Sequence, residues 1–171
     1  MSKRELRKYL KELTKEQLED QILDLYNRFK EVKEFYDFAF NPRENELMEQ
    51  CRFQISKEYY PVKGKKARMR RSVAQKWIKK LIILDADASL VADVMFFNIE
   101  IAQSYASEHI IRYESFFTSM YKSYDEALRF VSEKGILNDF RGRIQKIAGD
   151  AWDRKWPNRQ SFEDLADLYL Q

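Results

Sequence analysis

The sequence of 171 residues has little cysteine, histidine, glycine or proline, and each shortage excludes a class of protein. The single cysteine, Cys51, excludes a disulfide within the chain, and the single histidine, His109, excludes a His-rich or Cys/His metal site built by one chain. The four glycines form no phosphate-binding or dinucleotide-binding motif. Scarce Gly and Pro beside abundant Lys, Glu, Leu and Ala favour helix. The sequence therefore predicts an all-α protein without a metal site or a cofactor.

Long apolar runs are also missing. No run approaches the roughly 18 apolar residues of a membrane-spanning helix, and the residues after Met1, SKRELRKYLKEL, lack the apolar stretch of a signal peptide. We therefore expect a soluble, cytoplasmic protein without membrane contact. The length is that of one ordinary domain, so we expect residues 1–171 to share a single core.

The clearest helix signal lies near the start of the chain. Thr14 and Gln17 have the spacing of a capping box, which predicts a helix that begins there and ends at Asn41, before Pro42. Apolar residues recur within it at alternating steps of four and three, which is typical of one apolar helix face. These residues are Leu18, Ile22, Leu25, Phe29, Val32 and Tyr36.

Further start and stop signals follow along the chain, and about seven helices are predicted in all. Two more capping boxes are indicated, one by Ser72 with Gln75 and one by Ser123 with Glu126. Asp87 is typical of an N-cap, and Gly135 is typical of the position just after a helix. The prediction is a single-domain helical bundle with a loop at about 61–71.

Three segments of the sequence carry a resemblance: SKEYYPVKGKKARMRRSVAQKWIKKLIIL, VADVMFFNIEIAQ and ALRFVSEKGILNDF. They resemble a bacterial family of small all-helical proteins that is classed only as a domain of unknown function. The resemblance implies one helical domain over most of the chain. It implies no activity, ligand or catalytic residue.

The charge of the chain is unevenly distributed. Residues 1–60 and 85–171 carry small net negative charges, whereas residues 61–84, called the basic segment here, contain nine Lys or Arg and no Asp or Glu. Six of these cations lie in the loop and three on the polar face of the helix that follows. They are Lys63, Lys65, Lys66, Arg68, Arg70 and Arg71 in the loop, and Lys76, Lys79 and Lys80 on the helix.

The basic segment supports two interpretations. Cations at a helix N-terminus are unfavourable because the helix dipole is positive there, so their presence predicts a site for a phosphate or another polyanion such as a nucleic acid. The aromatic residues Tyr59, Tyr60 and Trp77 flank the segment and offer stacking surfaces. The alternative is that acidic residues of the flanking segments pair with these cations inside the fold.

A polar stripe within the apolar segment 88–107 is the main candidate for chemistry. Asp93, Glu100 and Ser107 lie seven residues apart and therefore on one helix face. Two carboxylates on one face can hold a metal or act as acid and base, but no Glu-x-x-His pattern accompanies them. We favour a solvated or salt-bridged stripe, with Arg70 or Arg71 as a partner.

Four other side chains are candidates for a function. Cys51 lies on the predicted apolar face of its helix, which favours a core residue over a reactive thiol. A catalytic Cys51–His109 pair requires the two side chains to meet in space. Trp152 and Trp156 can anchor a partner or hold the last helix, and we favour the second role.

These observations favour binding over catalysis, and no catalytic residue is assigned. Binding to a protein partner or self-association ranks first, and binding of nucleic acid or another polyanion through residues 61–84 is the alternative. An enzyme without a recognisable motif ranks last.

Overall fold

The computed structural model describes residues 1–62 and 66–171, and within these ranges the regular structure is helical, without strands. The described residues form nine helices rather than about seven, so the predicted number was too low. In chain order they are α1 (Lys3–Lys11), α2 (Lys15–Arg28), α3 (Lys30–Phe40), α4 (Glu44–Tyr59), α5 (Arg71–Ile83), α6 (Ala88–Glu108), α7 (Glu114–Glu133), α8 (Leu137–Asp153) and α9 (Arg159–Leu170).

The helices fall into two compact units. The N-terminal unit, Met1–Arg43, contains α1 to α3, and the C-terminal unit, Glu44–Gln171, contains α4 to α9. The expectation of one domain over 1–171 stays a prediction.

In the N-terminal unit the predicted long helix is interrupted at Phe29. The capping box of Thr14 and Gln17 is confirmed, but the backbone of Phe29 is extended (φ −118°, ψ 116°) and separates α2 from α3. The break lets α3 pack against α2. The hydroxyl of Tyr26 donates to Asp37 over 2.7 Å, although a continuous helix would hold these residues roughly 16 Å apart along its axis.

The C-terminal unit is built around α6. This helix packs against α4, α5, α7 and α8, and nine of its residues are buried. Cys51 of α4 is fully buried in the same core, as the sequence predicted. Burial raises the pKa of its thiol to about 11, so Cys51 is a core residue and not an activated nucleophile.

Two of the three capping boxes predicted from sequence are wrong. The helix α5 begins at Arg71 with Arg70 as N-cap, so Ser72 lies inside its first turn. Ser123 lies inside α7, where its hydroxyl donates to the carbonyl of Ser119 instead of capping a helix.

Other predicted boundaries are confirmed. Asp87 caps α6 by accepting the backbone N–H of Ser89, and Gly135 follows α7 with a left-handed φ of 71°. Glycine adopts this φ without the steric cost that a side chain brings. Over the described residues, no helix combines the length and the apolar character that crossing a membrane requires.

Candidate functional site

The basic segment is fastened to α4 by one acidic residue, Glu58. Its backbone carbonyl accepts the N–H groups of Arg68 and Met69 at 2.9 and 3.0 Å. Its carboxylate accepts the backbone N–H of Arg70 at 3.3 Å and two guanidinium N–H groups of Arg70 at 2.9 and 2.8 Å. These hydrogen bonds from Arg70 lower the pKa of the buried Glu58. Glu58 thus positions the backbone of Arg68 to Arg70 and pairs with the charge of Arg70.

Arg71, the next residue, pairs with α7. Its guanidinium bonds the carboxylate of Glu126 at 2.6 Å and donates to the hydroxyl of Ser123 at 2.9 Å. The two residues expected to begin a helix therefore bind a cation from α5. This contact explains why the Ser123–Glu126 pattern fails as a capping box.

These contacts offset part of the unfavourable positive charge at the start of α5. Carboxylates from α4 and α7 approach Arg70 and Arg71, so anionic groups lie near the positive end of the helix dipole. Internal pairing, the alternative interpretation of the basic segment, is what the structure shows for these two arginines. Of the cations in the basic segment, these two arginines are therefore the least available to bind a polyanion.

The other cations of the basic segment differ in position. Lys66, Arg68, Lys76 and Lys79 are exposed. Lys80 is partly buried, with its ammonium 5.8 Å from the centre of the Trp77 ring. Lys63 and Lys65 lie outside the described residues. The polyanion surface stays a prediction that depends on the exposed cations.

The polar stripe of α6 forms an ionic network with α4 and α8. Arg143 of α8 donates to both carboxylate oxygens of Glu100 at 2.8 Å and to Asp93 at 2.7 Å. Arg52 of α4 donates to the other oxygen of Asp93 at 2.6 and 3.2 Å. Burial opposes the charged form of Arg143, but the hydrogen bonds to Glu100 and Asp93 raise its pKa overall.

This network corrects two expectations. The partners of the stripe are Arg52 and Arg143, not Arg70 or Arg71. Ser107 takes no part in it, because its side chain is exposed and its hydroxyl donates to the carbonyl of Ser104. Asp93 and Glu100 are salt-bridged, which is one of the two forms, solvated or salt-bridged, that the sequence favoured.

The remaining candidates differ in their exposure to solvent. Cys51 is buried in the core, whereas His109 is exposed at the end of α6, where its ring stacks on Tyr105. The ring of Trp156 is buried and contacts Phe162 of α9 edge-on at 5.5 Å, consistent with a role in holding the last helix. Trp152 is 38% exposed and donates its indole N–H to Glu163. Among the described residues, no three His, Cys, Asp or Glu side chains are grouped to hold a metal ion.

The N-terminal unit presents the largest departure from the sequence-based expectations. All of its 43 residues are described, and none is buried. Its exposed large apolar side chains are Met1, Leu6, Tyr9, Ile22, Leu23, Leu25, Phe29, Phe35 and Phe40. Such a concentration of exposed apolar side chains is typical of a surface that contacts another molecule.

Three residues of these sites were not predicted from sequence: Glu58, Arg52 and Arg143. A weak signal existed for two of them. Glu58 lies seven residues after Cys51, on the apolar face of α4, and Arg143 lies three residues after Phe140, on the apolar side of α8. A charged residue within an apolar helix face indicates a buried partner, but not which one.

Comparison with known proteins gives a family but no activity. A family model, described as a family of unknown function (DUF6155), matches residues 1–169. No curated protein and no solved structure matches the chain. The sequence resemblance to a family classed only as a domain of unknown function is therefore confirmed, while a bacterial origin stays a prediction.

Proposed function

Since the chain belongs to DUF6155, a family of unknown function, we propose its role from its own surface: it is a protein-interaction module that pairs with a second copy of itself through the N-terminal unit. The observation that carries this proposal is the complete lack of buried residues in 1–43. An apolar helix face that the helices of its own unit leave uncovered is stabilised when another surface covers it.

The exposed apolar residues form an organised surface on α2. Ile22 and Leu25 belong to the apolar stripe that the sequence shows, yet 43% and 44% of their surfaces are exposed. Phe29, at the break before α3, is 48% exposed. The apolar stripe of a helix is normally buried when other helices pack against it. The pattern therefore supports a partner that packs along α2.

Charge supports a second copy as that partner. The helix α1 has five basic residues and one acidic residue, whereas α2 and α3 together have seven acidic and four basic residues. In a two-fold symmetric pair, α1 of each copy can face the acidic helices of the other, so that each contact occurs twice. Electrostatic complementarity of this kind favours one orientation over others.

The test is the mass of the full-length protein in solution. Sedimentation velocity from about 1 to 100 μM covers the affinities of weak protein interfaces. We expect the wild type to shift from monomer to dimer over this range. The double variant Ile22→Glu/Leu25→Glu should stay monomeric, because two carboxylates would have to be buried at the interface.

A matched control separates this surface from general stickiness. Ile82 and Ile83 on α5 are 50% and 54% exposed, so Ile82→Glu/Ile83→Glu makes the same chemical change on the C-terminal unit. This variant should dimerise like the wild type, and circular dichroism should show the same helix content for all three proteins. A wild type that is monomeric throughout, or control and test variants that behave alike, would overturn the proposal.

A further inference from the structure

A cleft in the C-terminal unit combines aromatic walls with a cation. It has a volume of about 590 Å³ and lies between the end of α4, the start of the described part of the basic segment and the end of α6. Its lining residues are Tyr59, Tyr60, Pro61, Lys66, Ala67, Tyr105 and His109. We propose that this cleft binds a nucleotide, free or as a unit of a single-stranded nucleic acid, with the base against the rings and the phosphate at Lys66.

The aromatic rings of the cleft contact one another, and two of them, Tyr60 and His109, are exposed to solvent. Tyr105 stacks on His109 with ring centres 4.0 Å apart and planes at 12°. Tyr60 meets Tyr105 edge-on, with ring centres 5.6 Å apart and planes at 80°. Tyr60 is 37% exposed and His109 is exposed. Flat bases stack on such rings without regard to sequence.

Hydrogen bonds hold two of these rings in place. The hydroxyl of Tyr60 donates to Glu108 at 3.2 Å. The Nδ1 of His109 lies 3.1 Å from the carbonyl oxygen of Tyr105, and since a carbonyl can only accept, Nδ1 carries the proton. In the neutral form of the ring, Nε2 is then an acceptor for a base N–H. The rings are positioned before any ligand arrives, which lowers the entropic cost of binding.

The charge of the cleft favours an anion. Lys66 is exposed and lines the cleft, and Arg68 lies two residues further along the chain. The carboxylate of Glu58 is paired with Arg70, whereas that of Glu108 accepts the Tyr60 hydroxyl and keeps its charge. The two exposed cations, Lys66 and Arg68, outnumber this one remaining carboxylate, which leaves a net attraction for a phosphate. Glu58 also positions this stretch by accepting the backbone N–H of Arg68.

The experiment measures binding of a fluorescent oligoadenylate of about ten residues, a length within the usual site size of single-strand binders. Fluorescence anisotropy at several salt concentrations gives the affinity and its salt dependence. Tyr60→Ala should weaken binding about fivefold or more through lost stacking, while Tyr60→Phe, which keeps the ring, should bind within about twofold of wild type. Lys66→Ala should reduce the slope of log affinity against log salt by about one.

Two control variants test whether the cleft, and not the general charge, binds the probe. Lys79→Ala removes an exposed cation of the basic segment outside the cleft, and Tyr113→Ala removes an aromatic ring that is 66% exposed elsewhere. Both should bind like the wild type. The proposal is wrong if Lys79→Ala weakens binding as much as Lys66→Ala, or if Tyr60→Ala has no effect.

Competition identifies the source of the nucleotide. If adenosine monophosphate displaces the probe as effectively as the unlabelled oligomer, the ligand is a free nucleotide. If the unlabelled oligomer displaces the probe at a much lower concentration, the ligand is a single-stranded nucleic acid. Adenosine and inorganic phosphate should each compete poorly, because each supplies half of the contacts. Inorganic phosphate competing as well as the nucleotide, or no binding of any probe at low salt, would overturn the proposal. The dimer test above is independent of this result, since the cleft lies outside residues 1–43.

Discussion

Both units of this protein contain helices with a periodic apolar face, but the residues of these faces are buried to very different degrees. In α4 the apolar residues Cys51, Ile55 and Tyr59 are at most 1% exposed, whereas Ile22 and Leu25 of α2 are exposed by more than two fifths. Both sets recur at helical spacing. The difference is in the neighbours: α4 packs on α5 and α6 inside a six-helix unit, while α2 has α3 as its main neighbour. Helical periodicity thus predicts an apolar face but not what covers it.

The largest expected effect comes from deleting core volume in the C-terminal unit. Ile99 of α6 is fully buried, so Ile99→Ala should lower the free energy of unfolding by about 3 to 4 kcal/mol. Ile22→Ala in the N-terminal unit should cost less than about 1 kcal/mol, because that side chain is already half exposed. Urea unfolding followed by circular dichroism measures both at low protein concentration. Equal losses would contradict the contrast between the units.

A smaller effect is expected from the ionic network of α6. Arg143→Met leaves Asp93 without one of its partners and Glu100 without its bidentate one, and we expect a loss of about 2 to 3 kcal/mol since these groups are only partly exposed. The control Arg129→Met breaks a solvent-accessible salt bridge with Asp125, four residues earlier on the same helix. It should lower the free energy of unfolding by less than about 0.5 kcal/mol. Thermal or urea unfolding distinguishes the two. Similar values for both variants would show that the network contributes no more than a surface pair.

A loss of about 1 to 2 kcal/mol, smaller than that for Arg143→Met, is expected for Glu58→Gln near neutral pH. Hydrogen bonds from Arg70 lower the pKa of Glu58 in the folded protein, so its contribution is present above the unfolded value of about 4.3 and is lost as pH falls through the folded value. The stability gap between wild type and variant should therefore narrow from pH 6 towards about pH 3. Urea midpoints at a series of pH values measure the gap, and a gap that does not change with pH would contradict this account of Glu58.

Much of the helical organisation follows from local signals in the sequence. The capping box at Thr14, the N-cap Asp87 and the glycine at 135 act through contacts within a few residues, and all three are confirmed. Local signals fail where a distant residue competes for the same side chain. Ser123 and Glu126 have the spacing of a capping box, but Arg71 binds both, from more than fifty residues away.

The candidate sites were less predictable because they depend on pairs of residues far apart in sequence. The stripe of Asp93 and Glu100 was visible, and a salt-bridged role was favoured, yet the partner was assigned to the wrong arginines. Nothing local identifies Arg52 and Arg143, since one sequence contains many arginines and their distances are set by helix packing. The break at Phe29 was missed for a related reason: no glycine or proline marks it.

The shared carboxylate of Asp93 has a consequence for the order in which the chain is made. Arg52 precedes Asp93 by 41 residues and Arg143 follows it by 50. On a ribosome, α4 and α6 can pair through Arg52 while α8 is still to be synthesised. The hydrogen bonds between Glu100 and Arg143, by contrast, form only after Arg143 has been synthesised. Asp93 can therefore form its ion pair with Arg52 before α8 is synthesised, and Arg143 completes the network afterwards.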